Sequence, residues 1–218
     1  MTPTTRLIIG SELITPSVAR LALLGAVIGP PVFVAVFLVD GFIHPAYNPV
    51  TDFVSELSRG ELGWLQIANF LFLALSMLVF AAGIRWGVRR GPGSAAGAVI
   101  FAIVGASLIV SGTFVTDAHT SAVKTTTGMI HDLAALPVFG GVAAVCFVFA
   151  RRYHGAMRIY SIATGIFVVV SFVLIFAVGS ALDIIGIMQR VTVIAGWTWI
   201  TVLALLLRAE PSPVAAPA

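Results

Sequence analysis

In a chain of 218 residues, 59% are hydrophobic and only 10% are charged, whereas soluble domains run at roughly 45–50% apolar and about 25% charged. That balance, with a mean hydropathy of +1.08, excludes an ordinary water-soluble globule and places the chain in a lipid bilayer. The net charge of +3 does not signal a nucleic-acid partner, because the Lys and Arg residues are dispersed around the ends of apolar runs and form no basic patch.

Six apolar runs are each long enough to cross about 30 Å of hydrocarbon as a helix. They are continuous, without the alternation of lipid-facing barrel strands. The predicted fold is therefore all-α: a polytopic membrane helix bundle of six transmembrane helices, with a short outer loop helix after the first span. Residues 1–17 read as a cytoplasmic segment whose apolar run is too short for a signal-peptide core, so the first span is expected to be retained. The six-span membrane domain covers 18–208, with spans at 18–39, 64–84, 95–116, 129–150, 159–180 and 190–207. Residues 209–218, with the Pro/Ala-rich end "EPSPVAAPA", read as a disordered cytoplasmic tail.

In the first span, Pro30 and Pro31 predict a kink or break, since each ring removes a backbone donor and clashes with the preceding turn. After that span come Asp40 and His44, then "NPVTDFVSELSRGELGW". Pro49 is expected to start the loop helix, putting Asp52 with Glu56, and Ser55 with Arg59, on shared faces. Gly60 and Gly63 then turn the chain into the second span, with Trp64 at the membrane interface. In the later spans Asn69, Ser76, Ser107, Ser111, Thr164, Ser171 and Thr198 read as helix-packing polar residues. Gly97, Gly105 and Gly112 read as points of close helix approach, and Cys146 as an apolar filler. Trp197 and Trp199 lie deeper than an interfacial belt requires.

The stretch "GTFVTDAHTSAVKTTTGMIHDLAAL" places Asp117 and His119 at the exit of the third span, and His131 and Asp132 at the entrance of the fourth. "ALDIIGIMQRV" adds Asp183 and Arg190 at the last span. A charge at membrane depth needs a partner, and Glu56, Asp117 or Asp132 is expected to meet Arg190. With both termini on one side, that side collects Arg6, Arg20, Arg85, Arg89, Arg90, Arg151, Arg152, Arg158 and Arg208, against Arg59, Lys124 and Arg190 on the other. The positive-inside rule makes the first side cytoplasmic, in a plasma-membrane protein with both termini inside. His154 reads as an interfacial loop residue on that side.

"NPVTDFVSELSRGELGW", "GTFVTDAHTSAVKTTTGMIHDLAAL" and "GIMQRVTVIAGW", in this order and each at the outer end of a span, resemble the bacterial and archaeal membrane-protein family catalogued as domain of unknown function 998. The resemblance runs over about residues 17 to 208. Its matching positions are Asn48, Pro49, Ser55, Glu56, Leu57, Gly60, Trp64, Asp117, His131, Gln189 and Arg190. It implies a membrane fold and no activity.

Three readings of the outer polar cluster stay open. Ser55, Glu56, Asp117, His131, Asp132 and Arg190 line a pocket for a lipid headgroup, another small-molecule ligand, a cation or protons. Alternatively, His119, His131 and Asp117 or Asp132 hold zinc in an intramembrane hydrolase, with Ser55 and Glu56 as catalytic candidates positioning or deprotonating a water. The third reading is an ion-pair cluster that braces the outer loop, in a protein that is not an enzyme. The lone histidine near a span disfavours a b-type haem, and no glycine-rich phosphate loop is present. Oligomeric state leaves no mark in the sequence.

Overall fold

A computed structural model of the protein describes residues 16–179 and 181–211. The predicted terminal segments, with Arg6 and Glu12, lie outside the described residues except for their innermost positions. Helix α1, Pro16–Ala22, runs into α2, Leu24–Ile43. A 3-10 turn, Val54–Ser58, forms the loop helix, followed by α3, Gly63–Gly87, and α4, Ser94–Thr113. Then come α5, Thr126–Phe149, and α6, Gly155–Leu174, which ends in a π turn over Ile175–Gly179. The last helix is α7, Ile185–Ala209. Six of these segments are long and apolar enough to cross a membrane, with α1 and α2 counting as one.

Each span packs against the next, and α7 returns to α2, closing a ring. Between helices in lipid there is little hydrophobic drive, so close approach and interhelical hydrogen bonds hold such a ring together. A Cβ on Gly29 of α2 would lie 2.4 Å from Ser76 Cβ on α3, so the two backbones meet there. Gly105 and Gly112 press against α3, and Gly97 against the Phe149 ring, as their spacing predicts. Trp199, fully buried, donates Nε1–H to Ser161 Oγ at 3.0 Å, joining α7 to α6. Thr192 and Ser171 hydroxyls, 2.8 Å apart, join the same pair, and Asn69 Nδ2 reaches the Phe33 carbonyl of α2 at 3.0 Å. Each such bond contributes about 0.6 kcal/mol in a membrane bundle. Cys146 is buried in the core, as expected of a filler.

Two local expectations change. Helix α2 continues through Pro30 and Pro31, so the break allowed for there does not occur, and an interruption falls upstream at Leu23, between α1 and α2. The first span also runs on to Ile43, so Asp40 is a buried helical residue and not the start of a loop.

The end carrying the start of α1 and the end of α7 is closed by a polar knot. Arg152, in the α5–α6 turn, donates Nε–H to Glu210 Oε1 at 2.8 Å and Nη2–H to Oε2. Tyr153 donates its hydroxyl to Glu210 Oε1 at 3.2 Å. Arg20 reaches the carbonyls of Glu210 and Arg208, and Arg152 also reaches those of Arg89 and Pro92. The bond to Glu210 pushes the Arg152 guanidinium further up, and burial beside the same carboxylate pushes the Tyr153 phenol up.

Candidate ligand pocket at the loop-helix end

The opposite end is built around residues 44–58. Asn48 organises a turn: its Oδ1 accepts Val50 N–H at 3.0 Å, and its own N–H donates to Asp52 Oδ2 at 2.8 Å. This arrangement keeps Pro49 out of the loop helix, which begins instead at Val54. Asp52 precedes the helix and Arg59 caps it, so the two pairs are not set on shared faces of one helix, although Asp52 Oδ1 and Glu56 Oε1 both approach His119 Nδ1, at 3.9 Å and 2.9 Å.

The turn leaves backbone carbonyls without helical partners, and α7 satisfies them. Ile187 N–H donates to Val50 O at 3.2 Å. Arg190 donates Nη1–H to the carbonyls of Pro49 and Asp52, and Nη2–H to the Tyr47 hydroxyl. Gln189 Oε1 accepts Val54 N–H at 2.6 Å. A Cβ on Gly186 would sit 2.5 Å from Asp52 O and 2.7 Å from Pro49 O, so only glycine lets α7 come this close. Among the described residues no carboxylate forms an ion pair with Arg190, which corrects the expected pairing with Glu56, Asp117 or Asp132. The physical reason is that a guanidinium is a planar set of donors, and irregular backbone in a membrane needs donors and acceptors satisfied internally. Burial pushes the Tyr47 phenol up to about 12, against the opposing pull of Arg190, so its hydroxyl stays protonated and donates toward the Asp52 and Phe53 carbonyls.

Glu56 is 5% exposed and fully engaged: Oε1 accepts Phe53 N–H at 3.1 Å and lies 2.9 Å from His119 Nδ1, while Oε2 is 3.5 Å from Arg59. On α2, Asp40 Oδ1 lies 3.2 Å from His44 Nδ1, and His44 Nε2 donates to the Arg59 carbonyl at 3.0 Å. Asp117 accepts Thr125 N–H and Thr125 Oγ1–H, both at 2.8 Å, and these two bonds hold its carboxyl below the usual range. Thr125 in turn caps α5 by accepting Gly128 N–H. Asp132 is paired with Lys124 at 3.2 Å, and Asp183 is exposed on the α6–α7 connection.

His131 is different. Its Nδ1–H donates to the carbonyls of Ser111 at 3.0 Å and Phe114 at 2.9 Å. Because both partners only accept, the neutral ring must carry its proton on Nδ1 and present Nε2 as a bare acceptor. Ser55 is also buried, and its Oγ makes no hydrogen bond among the described residues. Gln189 spends its carbonyl on Val54 and keeps its amide donors free.

These three residues line two adjoining cavities. The outer one, about 170 Å³, has Asp117, His119, Lys124 and Asp132 on its polar side and Phe139, Phe172 and Phe176 on its apolar side. Ile175 and Phe176 belong to the π turn, a local distortion that recurs at functional sites. The inner one, about 60 Å³, lies on the axis of the ring beneath the loop helix, among Phe33, Phe70, Val142, Val193 and Trp197. Ser55, His131, Ala135, Phe139 and Gln189 are common to both.

Of the predicted pocket residues, Ser55, Asp117, His131 and Asp132 therefore share a cavity, while Glu56 and Arg190 belong to the frame around it. The predicted zinc ligands His119, His131 and Asp117 do not converge. Each is turned to a separate partner, and no group of three His, Cys, Asp or Glu side chains is placed to hold a metal among the described residues. Sequence reasoning missed Tyr47 and Thr125; the position of Thr125 before the apolar run of α5 is a helix-start signal that could have found it.

No curated protein and no solved structure matches the chain. Residues 27–206 match the family model described as "Protein of unknown function (DUF998)", a range that takes in the loop helix and every residue lining the two cavities. That match covers most of the 218 residues, and with its six membrane-crossing helices the chain belongs to the DUF998 family.

Proposed function

We propose that the loop-helix end is a binding pocket for a membrane amphiphile, whose headgroup occupies the outer cavity and whose apolar part lies against Phe139, Phe172 and Phe176. The observation that carries this reading is the shared wall: Ser55, His131 and Gln189 stand where a cavity with polar groups meets an apolar one. The outer volume of about 170 Å³ lies below the roughly 300–1,000 Å³ of drug-sized sites, which suits a headgroup fragment rather than a whole drug-sized molecule. Lys124 and Asp132, both half exposed, offer one cation and one anion at the polar side, a match for a zwitterionic headgroup. Leu136 and Phe176, beside the same cavity, are 54% and 64% exposed, so the ligand enters sideways from the bilayer between α5 and α6.

The pocket faces the outside of the cell in this reading. Arg20, Arg85, Arg89, Arg90, Arg151, Arg152, Arg158 and Arg208 lie at the opposite end, against Arg59, Lys124 and Arg190 at this one, and the positive-inside rule puts the Arg-rich end in the cytoplasm of a plasma-membrane protein.

The test is photo-crosslinking with a zwitterionic phospholipid carrying a diazirine near the headgroup. Adducts are expected on Leu136, Phe139 or Phe172, and Phe139→Trp is expected to suppress them. Adducts spread evenly over the lipid-facing surface, unchanged by Phe139→Trp, would rule the pocket out.

A further inference from the structure

The amphiphile pocket has one feature that binding alone does not require. Its common wall holds a serine hydroxyl without a partner, an imidazole whose tautomer is fixed, and a carboxamide with free donors. We infer that Ser55 and His131 are a nucleophile and its general base, and that they hydrolyse an ester bond in an amphiphile seated in the pocket. The inference rests on the pocket reading.

The chemistry follows from the hydrogen bonds. A serine hydroxyl becomes a useful nucleophile when a neighbouring base takes its proton, and that base must be held in the correct tautomer by a third group. Here the third group is a pair of main-chain carbonyls, Ser111 O and Phe114 O, which take the Nδ1 proton and leave Nε2 unprotonated. Ser55 sits in the loop helix, whose backbone is held by Ser58 Oγ–H donating to the Ser55 carbonyl at 2.7 Å and by Val54 N–H donating to Gln189. The loop helix therefore fixes the backbone of the nucleophile while its hydroxyl stays free. Ser55 and His131 line the same two cavities, and proton transfer requires Oγ and Nε2 to approach to about 3 Å in the ligand-filled state.

In the first half-reaction Ser55 Oγ bonds to the acyl carbon as Nε2 accepts the hydroxyl proton, and the developing oxyanion takes hydrogen bonds from the Gln189 amide. The bond from the acyl carbon to the leaving oxygen then breaks, and the departing alcohol takes the proton from Nε2. Water is the second reactant. It gives a proton to Nε2 and bonds to the acyl carbon, the bond to Oγ breaks, and Ser55 recovers its proton as the carboxylic acid leaves.

The test uses the full-length protein reconstituted in nanodiscs, a long-chain alkyl fluorophosphonate, and a long-chain p-nitrophenyl ester. Covalent modification mapped to Ser55, together with release of p-nitrophenol, is expected, and Ser55→Ala is expected to abolish both. Ser55→Ala removes no hydrogen bond seen in the fold, so its loss of activity is not a loss of structure. His131→Asn supplies the second arm, because its side-chain amide can still donate to Ser111 and Phe114 but offers no basic nitrogen; the labelling rate is expected to fall about 100-fold or more. No adduct on Ser55, or labelling unchanged in His131→Asn, overturns the inference. If lipid crosslinking persists in that case, the pocket reading stands and only the chemistry fails; if crosslinking is lost as well, the pocket reading fails with it.

Discussion

The two ends of this bundle spend their polar residues in opposite ways. At the end carrying α1 and the last turn of α7, Arg152, Tyr153, Arg20 and Glu210 close on one another and on backbone carbonyls, each with a named partner. At the loop-helix end, Arg190, Glu56 and Asp117 are just as fully committed, yet they surround Ser55, His131 and Gln189, each of which keeps an unused donor or acceptor facing a cavity. The buried side-chain atoms without a partner among the described residues follow the same division. Asp40 Oδ2, Gln66 Nε2 and Asn69 Oδ1 lie within the turns nearest the loop helix, and Trp197 Nε1 belongs to a residue midway along α7 that lines the inner cavity. A buried polar group without a partner is costly, so its persistence calls for an explanation. The closed end fastens the bundle, while the open end surrounds two cavities, the place to which we assign the proposed ligand.

The comparison breaks most sharply at Arg190. Arg190→Met removes the donors to Pro49 O, Asp52 O and the Tyr47 hydroxyl and leaves carbonyls unsatisfied, a loss of about 3 kcal/mol. Thermal unfolding in detergent is expected to fall by about 6–12 °C. Arg190→Lys is expected to recover little of this, because one ammonium cannot reproduce the fork. An unchanged melting temperature in Arg190→Met would mean that α7 does not hold the loop.

At the other end, Glu210→Gln keeps the backbone acceptor for Arg20 but loses the carboxylate that Arg152 grips. The pair is partly exposed, so about 1 kcal/mol and a fall of about 2–4 °C are expected. The same variant is expected to leave lipid crosslinking at the pocket intact; a loss there would show that the two ends are coupled rather than separate.

The smallest effect is a dependence on pH at the loop. The folded state raises the Tyr47 phenol above its ordinary value, so the stability it contributes is fully present below pH 10 and is lost as pH rises toward about 12. Melting curves across that interval are expected to drop more steeply for the native chain than for Tyr47→Phe. Parallel curves would mean that the phenol lies in a wetter site.

Much of the fold was legible because hydropathy reports spans directly, and all six are present. Their ends were less legible. Asp40 read as the first residue past the membrane, but Asp40 lies inside α2 and meets His44, the residue that caps it; Arg190 read as the opening of the last span, but α7 begins at Ile185. At the site, Ser55, Asp117, His131 and Asp132 were recognisable as polar residues gathered at one end, and they do border one cavity. The partner of Arg190 was not recognisable, because a search for a carboxylate overlooks backbone carbonyls, which have no letter of their own. For the same reason His131 read as a metal ligand: its Nδ1 proton goes to two carbonyls that no motif records. Glu210 was set aside with a Pro/Ala-rich tail, although its carboxylate ties the end of α7 to the α5–α6 turn and its backbone carbonyl accepts from Arg20 of α1.

The central claim is that the loop-helix end holds an amphiphile, and native mass spectrometry of the protein released from membranes tests it most directly. The native chain is expected to retain one amphiphile, Glu210→Gln to retain the same one, and Ala135→Phe, which fills the wall common to both cavities, to lose it. Equal retention by Ala135→Phe and the native chain would contradict the account.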